Sequence, residues 1–304
     1  MRFGFWPNPR SDYVSTMTLG QHAEATGWDG LWLADHFLPE EDALIPVHES
    51  WITLAALARD VPRIRLGTLV SGNTYRHPAV LANMVATLDN LSNGRAVLGI
   101  GSGWQHNEHF AYGIDYGTAG SRLRMLDEAC QVFKGLFSND YFDFEGEFYQ
   151  MKKAPLVPKP VQQKLPLMIG GGGEKVTLKI AAKYADEWNV WADVDTIKHK
   201  TTILERHCET VGRDPQEIER SAVALLFLSD DEDYIKRMKA ASIAMPTIIG
   251  GVREVQDIIT AYQQAGVHEL IVPDFTLGEL IGAGQEKQDL MEKLITEVAP
   301  VTNN

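Results

Sequence analysis

Short apolar runs alternate with longer amphipathic stretches along most of the chain, and the alternation sets out a series of strands and helices. Arg2 to Trp6 reads as a buried strand, followed by a Pro/Asn loop at 7–10 and a helix from about Ser11 to Thr26. Gly27 closes that helix where a left-handed residue is favoured. Gly30 to Ala34 is a second buried strand that runs straight into Asp35-His36-Phe37. A helix follows at about Glu49 to Asp60, then a third strand at Ile64 to Val70 and a polar loop over Ser71 to His77. Pro78 opens the next helix at its first position, Leu81, Met84, Val85, Leu88 and Leu91 form its inner stripe, and Asn93-Gly94 ends it. Ala96 to Ile100 is a fourth strand. After a loop at 105–117, a helix carries Met125, Ala129, Val132, Phe133 and Leu136 on one face.

Residues 139–166 break this rhythm. They alternate aromatic and polar positions and contain Pro155, Pro158, Pro160 and Pro166, which reads as a short hairpin insertion with a proline-rich loop. The alternation then resumes: strand 167–169 and helix 174–185, strand 187–191 and helix 194–211, strand 219–228 and helix 231–240, helix 252–265 and strand 268–272, and a last helix at about 287–298. Repeated strand–helix units imply a parallel sheet. Polar and glycine residues gather after strands two to six alike, which favours a closed (β/α)8 barrel over a doubly wound sheet with its single switch point. The expectation is one α/β barrel domain over 1–304, with an insertion at about 139–166 before strand five.

Composition narrows the function classes. The net charge of −13 argues against nucleic-acid and anionic-membrane binding, and it requires that any anionic cofactor meet a local N–H-rich or basic cleft. Cys130 and Cys208 stand far apart, so neither a disulfide framework nor a zinc site is indicated. With no long apolar segment and no cleavage signal, the expected location is cytoplasmic.

The stretch that carries most chemistry is Leu167-Met168-Ile169 followed by Gly170, Gly171, Gly172, Gly173, Glu174, Lys175 and Val176. Four consecutive glycines let a ligand approach the backbone, and at a helix N-terminus their N–H groups form an anion site suited to phosphate. The plainer alternative is a strand-to-helix turn, which needs fewer glycines. A P-loop is excluded because Val176 follows Lys175 where Ser or Thr is required.

Other candidates sit at strand ends. Asp35 and His36 end the second strand, with His36 as a proton carrier and Asp35 as a partner for a ligand hydroxyl; capping and core bonding are the bland alternative. Gly101, Ser102 and Gly103 lack the third glycine of a dinucleotide fingerprint and instead leave room for a flat ring, with Trp104 as its wall. Glu108 is a candidate acid, or simply a loop charge. Trp188-Asn189-Val190-Trp191 reads as two large aromatics at alternate positions of a strand, with Asn189 facing the opposite way; core packing is the plainer role for at least one tryptophan. Arg76 and His77 are anion contacts or solvated side chains, and the lysines at 198–200 and the acidic run at 230–233 read as solvated helix ends.

These motifs, in this order, resemble the bacterial luciferase-like monooxygenase superfamily. The resemblance rests on Trp32-Leu33-Ala34-Asp35-His36-Phe37, Leu66-Gly67-Thr68, Asn73 to Pro78, Gly99 to Trp104, Lys159-Pro160-Val161, Ile169 to Gly173 and Tyr184 to Asn189. Within it the chain is most similar to the branch that uses coenzyme F420, a deazaflavin with a phosphate and an oligoglutamate tail. The resemblance implies a (β/α)8 barrel with the cofactor across its strand ends, Asp35 and His36 at the ring system, and Gly171 to Lys175 at the phosphate. It also implies a non-prolyl cis peptide near Leu69-Val70, ahead of Ser71, that buttresses the ring. The sugar-phosphate dehydrogenases of this branch carry a catalytic Glu where this chain has Trp104, which speaks against a sugar phosphate substrate.

The function expected from the resemblance is hydride transfer between F420 and a small organic molecule, with His36 moving the proton and Glu108 as a second catalytic candidate. Trp104 and Trp188 are the expected pocket walls, with Asn189 beside them. The alternative is an FMN-dependent monooxygenase fed by a separate flavin reductase; a groove lined by Lys and Arg beyond the phosphate loop would favour F420. A non-catalytic flavin-binding barrel is the reading from a different class. The expected partners are a small-molecule substrate, a second copy in a homodimer and a reductase that regenerates the reduced cofactor. No metal is expected.

Overall fold

In a computed structural model, which describes residues 1–40 and 44–303, eight parallel strands close into a barrel. In chain order they are β1 (Arg2–Trp6), β2 (Gly30–Leu33), β3 (Arg65–Thr68), β4 (Ala96–Gly101), β5 (Leu167–Gly170), β6 (Glu187–Trp191), β7 (Glu219–Val223) and β8 (Glu269–Pro273). Each pairs with its chain neighbours, and β1 pairs with β8 to close the ring. The strands are short apolar runs because both faces are covered, one by the barrel interior and one by helices.

The helices dock as the hydrophobic stripes require. Tyr13–Thr26 begins on Asp12, whose side chain accepts from the Ser15 amide, and ends at Gly27 in the left-handed region. Pro78–Ser92 ends at Asn93, also left-handed. Ala119–Ser138 starts with a capping box between Thr118 and Ser121. The insertion is an antiparallel hairpin, Tyr141–Glu145 with Gln150–Pro155.

The barrel's N-terminal end is plugged by charge. Arg65 reaches Glu269 at 2.9 Å and pairs with Glu187, Arg2 pairs with Glu219, and the Trp32 indole N–H donates to Glu269 at 2.8 Å. Burial pushes the Glu187 carboxyl up, against the pull of Arg65. Ligand access is therefore from the opposite, C-terminal end. There the chain leaves β8 through Asp274 and returns as the helix Gln285–Lys293. Lys287 on that helix is fully buried, with its ammonium 2.8 Å from the equally buried Asp274.

Several boundaries differ from the sequence reading. The run 219–228 is two strands: the chain leaves the barrel at Ala224, and Leu225–Leu228 pairs outside it with Thr247–Gly250. Continuous apolarity hides this change of sheet, and the strand at 247–250 was not expected. The helix expected from 174 begins at Thr177, because residues 174–176 form a turn after the glycines. The expected loop 105–117 contains a short helix, His106–Tyr112, whose Glu108 and His109 are buried. The final helix is Gln285–Lys293, continued by a π-turn over Leu294–Val298.

Candidate active site

A cavity of about 1020 Å³ opens at the C-terminal end of the barrel, lined by the ends of β1 to β6 and by the segment after β8. This is room for a tricyclic ring together with a small second molecule.

One side of it is built from backbone and small residues. The peptide between Leu69 and Val70 is cis, and Leu69, Val70 and Ser71 line the cavity beside Gly101, Ser102 and Gly103. Gly170 has to lack a side chain, since a Cβ there would lie 2.7 Å from Val70 Cγ2. Gly171 has φ +125°, a conformation open to glycine, and with Gly172 it completes this side. The Gly171 amide donates to the Asn189 carbonyl at 2.9 Å, and its carbonyl accepts the Trp188 indole N–H at 2.9 Å.

His36 follows β2 and lines the cavity. Its Nδ1 is 2.8 Å from Glu108 Oε1. Glu108 is fully buried on the helix His106–Tyr112; it also accepts the Tyr75 hydroxyl and the Phe37 and Leu38 amides, the last two at 2.8 and 3.3 Å. Burial alone raises a carboxyl, but here the bonds from His36, Tyr75 and Phe37 outweigh it and hold Glu108 below its ordinary value of 4.5. The ionised carboxylate then accepts the Nδ1–H, which fixes the imidazole tautomer and leaves Nε2 to take or give a proton. Burial beside Glu108 pushes the Tyr75 hydroxyl up, so Tyr75 stays a donor. Trp104 meets the His36 ring edge-on, with centroids 5.4 Å apart.

The structure separates the expected residues. His36, Leu69, Val70, Ser71, Gly101, Ser102, Gly103, Trp104, Gly170, Gly171, Gly172 and Asn189 lie together on the cavity. Asp35 does not: its carboxylate is saturated by Arg76 at 2.6 and 3.0 Å and by the Ser50 hydroxyl at 2.7 Å, so it holds the loop rather than a ligand hydroxyl. Arg76 is thereby an internal partner of Asp35 and Glu49, and His77 accepts the Ala79 amide at the next helix start. Glu108 stands behind His36 rather than on the cavity. Gly173, Glu174, Lys175 and Val176 sit in the turn beyond the lining, with Glu174 paired to Lys200 at 2.8 Å.

Trp188 is a correction to the expected wall. Trp191 lies three positions further on, an odd offset, so the two rings take opposite faces of β6 rather than alternate positions on one face. Trp188 points outward into the packing under the helices, whereas Trp191 shares the inward face with Asn189. Lys200 is a second correction: it lines the cavity beside Gly172 instead of standing in solvent. Trp6, Tyr75 and Phe275 carried no chemical flag in the sequence; only their places at or just after strands mark them.

Replacing Glu108 by glutamine removes the charge that fixes His36 and turns an amide N–H₂ toward donors. Turnover is expected to fall at least about tenfold with ligand affinity nearly unchanged, as steady-state kinetics and titration will show. Because the Glu108 value is depressed, its stabilising contribution exists above the ordinary carboxylate range and is lost only as pH falls through the lowered folded-state value. The wild-type pH–rate profile should therefore show no limb from Glu108 between about pH 5 and 8.

The sequence model of the luciferase-like monooxygenase family matches residues 1–301. The F420-dependent glucose-6-phosphate dehydrogenase of Kineococcus radiotolerans is 32% identical over 253 residues, which cover 82% of this chain and 71% of that one. The protein of the same name from Amycolatopsis mediterranei is 36% identical over 166 residues, 54% of this chain; the match spans about half, 47%, of that relative's length. Among solved structures, an F420-dependent secondary alcohol dehydrogenase in complex with an F420-acetone adduct superposes with a TM-score of 0.85 at 20% identity, covering 100% of this chain and 99% of that one. A long-chain alkane monooxygenase superposes with a TM-score of 0.81 at 16% identity, covering 99% and 91%. At these identities the structural likeness establishes the (β/α)8 barrel and nothing finer. Among the described residues, no helix is long and apolar enough to cross a membrane.

Proposed function

The chain belongs to the luciferase-like monooxygenase family, and on that premise we propose that it is an oxidoreductase using coenzyme F420. The observation that carries this reading is the pairing of a proton carrier with a cofactor-sized bay. His36, its tautomer set by Glu108, borders a cavity whose other side is the cis Leu69-Val70 peptide and the glycine-lined ends of β4 and β5. The names of the relatives at 32% and 36% identity favour F420 over FMN.

The residues present fit that cofactor. The Leu69-Val70 segment would support the ring, with Gly101 to Gly103 leaving space along it. Gly170 and Gly171 would leave room for the phosphate, and the backbone N–H groups from Gly172 through the turn to Thr177 would receive it, with the Lys200 ammonium alongside. Lys200 also stands beyond the glycines on the side an acidic tail would take, although Glu174 shares its charge. Bound F420 supplies hydride exchange at its ring. The protein contributes orientation, exclusion of water and a proton at His36 Nε2. Glu108 acts through His36 and is a positioning residue. We extend the proposal to a homodimer and to a separate enzyme that restores the reduced cofactor.

The glycine bay is tested by binding, followed through ring fluorescence. F420 should bind at least about tenfold more tightly than the phosphate-free deazaflavin F0. Gly171→Ala, forced into φ +125°, should weaken F420 while leaving F0 nearly unchanged. Equal affinities for the two deazaflavins would remove the phosphate grip from the account.

A further inference from the structure

The barrel mouth divides into two unlike arcs. Strand ends β3, β4 and β5 present the cis peptide and the glycines, which suit a flat ring and a phosphate. Strand ends β6, β8 and β1 present Trp191, Phe275 and Trp6, whose rings touch: Trp6 and Trp191 have centroids 5.7 Å apart, and Trp6 and Phe275 5.5 Å. His36, after β2, stands at the junction between the arcs. Met245 and Leu280 reach over the cavity from loops and add only apolar surface.

The side-chain amides on the aromatic side are already committed, and the buried Trp6 indole N–H, which has no partner, is a single neutral donor. Asn189 donates to the Ser221 hydroxyl at 2.9 Å, and Asn8 donates to the Leu280 carbonyl at 3.2 Å while accepting the Arg10 amide. The charged residues lining the cavity, among those described, are Arg10, His36, Glu40 and Lys200. Arg10 is partnered, and Lys200 is paired with Glu174 beside the glycines. A dianionic phosphate ester in this arc would meet indole and phenyl faces with no cation cluster to replace its hydration.

We infer that Trp6, Trp191 and Phe275 form the substrate-selecting wall, and that the substrate is an uncharged, apolar alcohol–carbonyl pair rather than a sugar phosphate. The inference rests on the F420 reading. Alcohol oxidation moves one hydride and one proton, which matches a site where a single imidazole, His36, borders the cavity. The carbinol C–H bond breaks with its electron pair leaving as hydride to oxidised F420. The O–H bond breaks with its proton going to His36 Nε2, and the C–O bond becomes a carbonyl. The reverse reaction reduces the carbonyl.

Calorimetric titrations with 1-phenylethanol and with glucose 6-phosphate, each with and without F420, test this. The alcohol should bind at least about tenfold more tightly than the sugar phosphate and should bleach the F420 absorbance on turnover. Trp191→Lys should weaken the alcohol at least about tenfold while F420 affinity holds; Phe275→Ser makes the same comparison if the first variant does not fold. Glucose 6-phosphate binding as tightly as the alcohol, or alcohol binding unmoved in a folded variant, overturns the inference. Failure of the wild type to bind F420 strikes the cofactor reading instead, and the titrations without cofactor then decide the substrate class.

Discussion

Replacing His36 by alanine lowers turnover by about 10²- to 10⁴-fold while F420 affinity changes little. The expectation follows from geometry. The ring is held at Nδ1 by a buried, ionised Glu108 and packs edge-to-face with Trp104, and the residue lines the cavity. Removing it leaves the glycine bay and the Leu69-Val70 support in place, so cofactor binding keeps its determinants while the proton loses its carrier. Circular dichroism checks folding, fluorescence titration gives affinity, and anaerobic single-turnover kinetics give the rate. A variant that binds F420 normally and turns over at the wild-type rate would remove His36 from the chemistry.

Lys287→Ala destabilises the fold by about 3–5 kcal/mol near neutral pH, the range seen when one partner of a buried ion pair is removed. Both members of the Lys287–Asp274 pair are fully buried, and the pair ties the helix Gln285–Lys293 to the end of β8 beside Phe275. Burial pushes the Asp274 carboxyl up to about 6 against the pull of the Lys287 ammonium. Since that folded-state value lies above the ordinary 3.8, the linked stability is fully present below the ordinary value and is lost as pH rises through about 6. Without Lys287 this loss steepens. Urea unfolding should therefore show the variant more damaged at pH 8 than at pH 5, and Asp274→Asn in the same background should recover much of the difference. Equal damage at both pH values would mean that the lysine stem, not its charge, is what the site needs.

Much of the fold was legible because strand–helix alternation is written in apolar periodicity, and because the polar and glycine residues cluster at strand ends. The placement of His36 and of Gly170 to Gly172 followed from motifs in those positions, whereas the cis peptide at Leu69-Val70 was implied only by the family resemblance. What escaped the sequence depends on partners distant along the chain. Asp35 looked available until Arg76 and Ser50 filled its oxygens. Glu108 looked like a loop charge because burial of the helix His106–Tyr112 is a tertiary event. The odd offset of Trp188 and Trp191 already puts them on opposite faces, but which face is inward depends on the closed barrel, and Lys200 reaches the cavity because its helix runs back past Gly172. The departure of the chain from the barrel at Ala224 left no local mark, since the apolar run continues unbroken into the outer strand pair.

Parallel equilibrium titrations of the purified protein with F420 and with FMN bear most directly on the central claim. Both ligands carry a tricyclic ring and a phosphate, so the comparison isolates the choice of cofactor rather than the existence of the bay. F420 binding at least about tenfold more tightly than FMN is the predicted result. Tight FMN binding with weak F420 binding would contradict it and would place the chain among the oxygen-using flavin enzymes of the family.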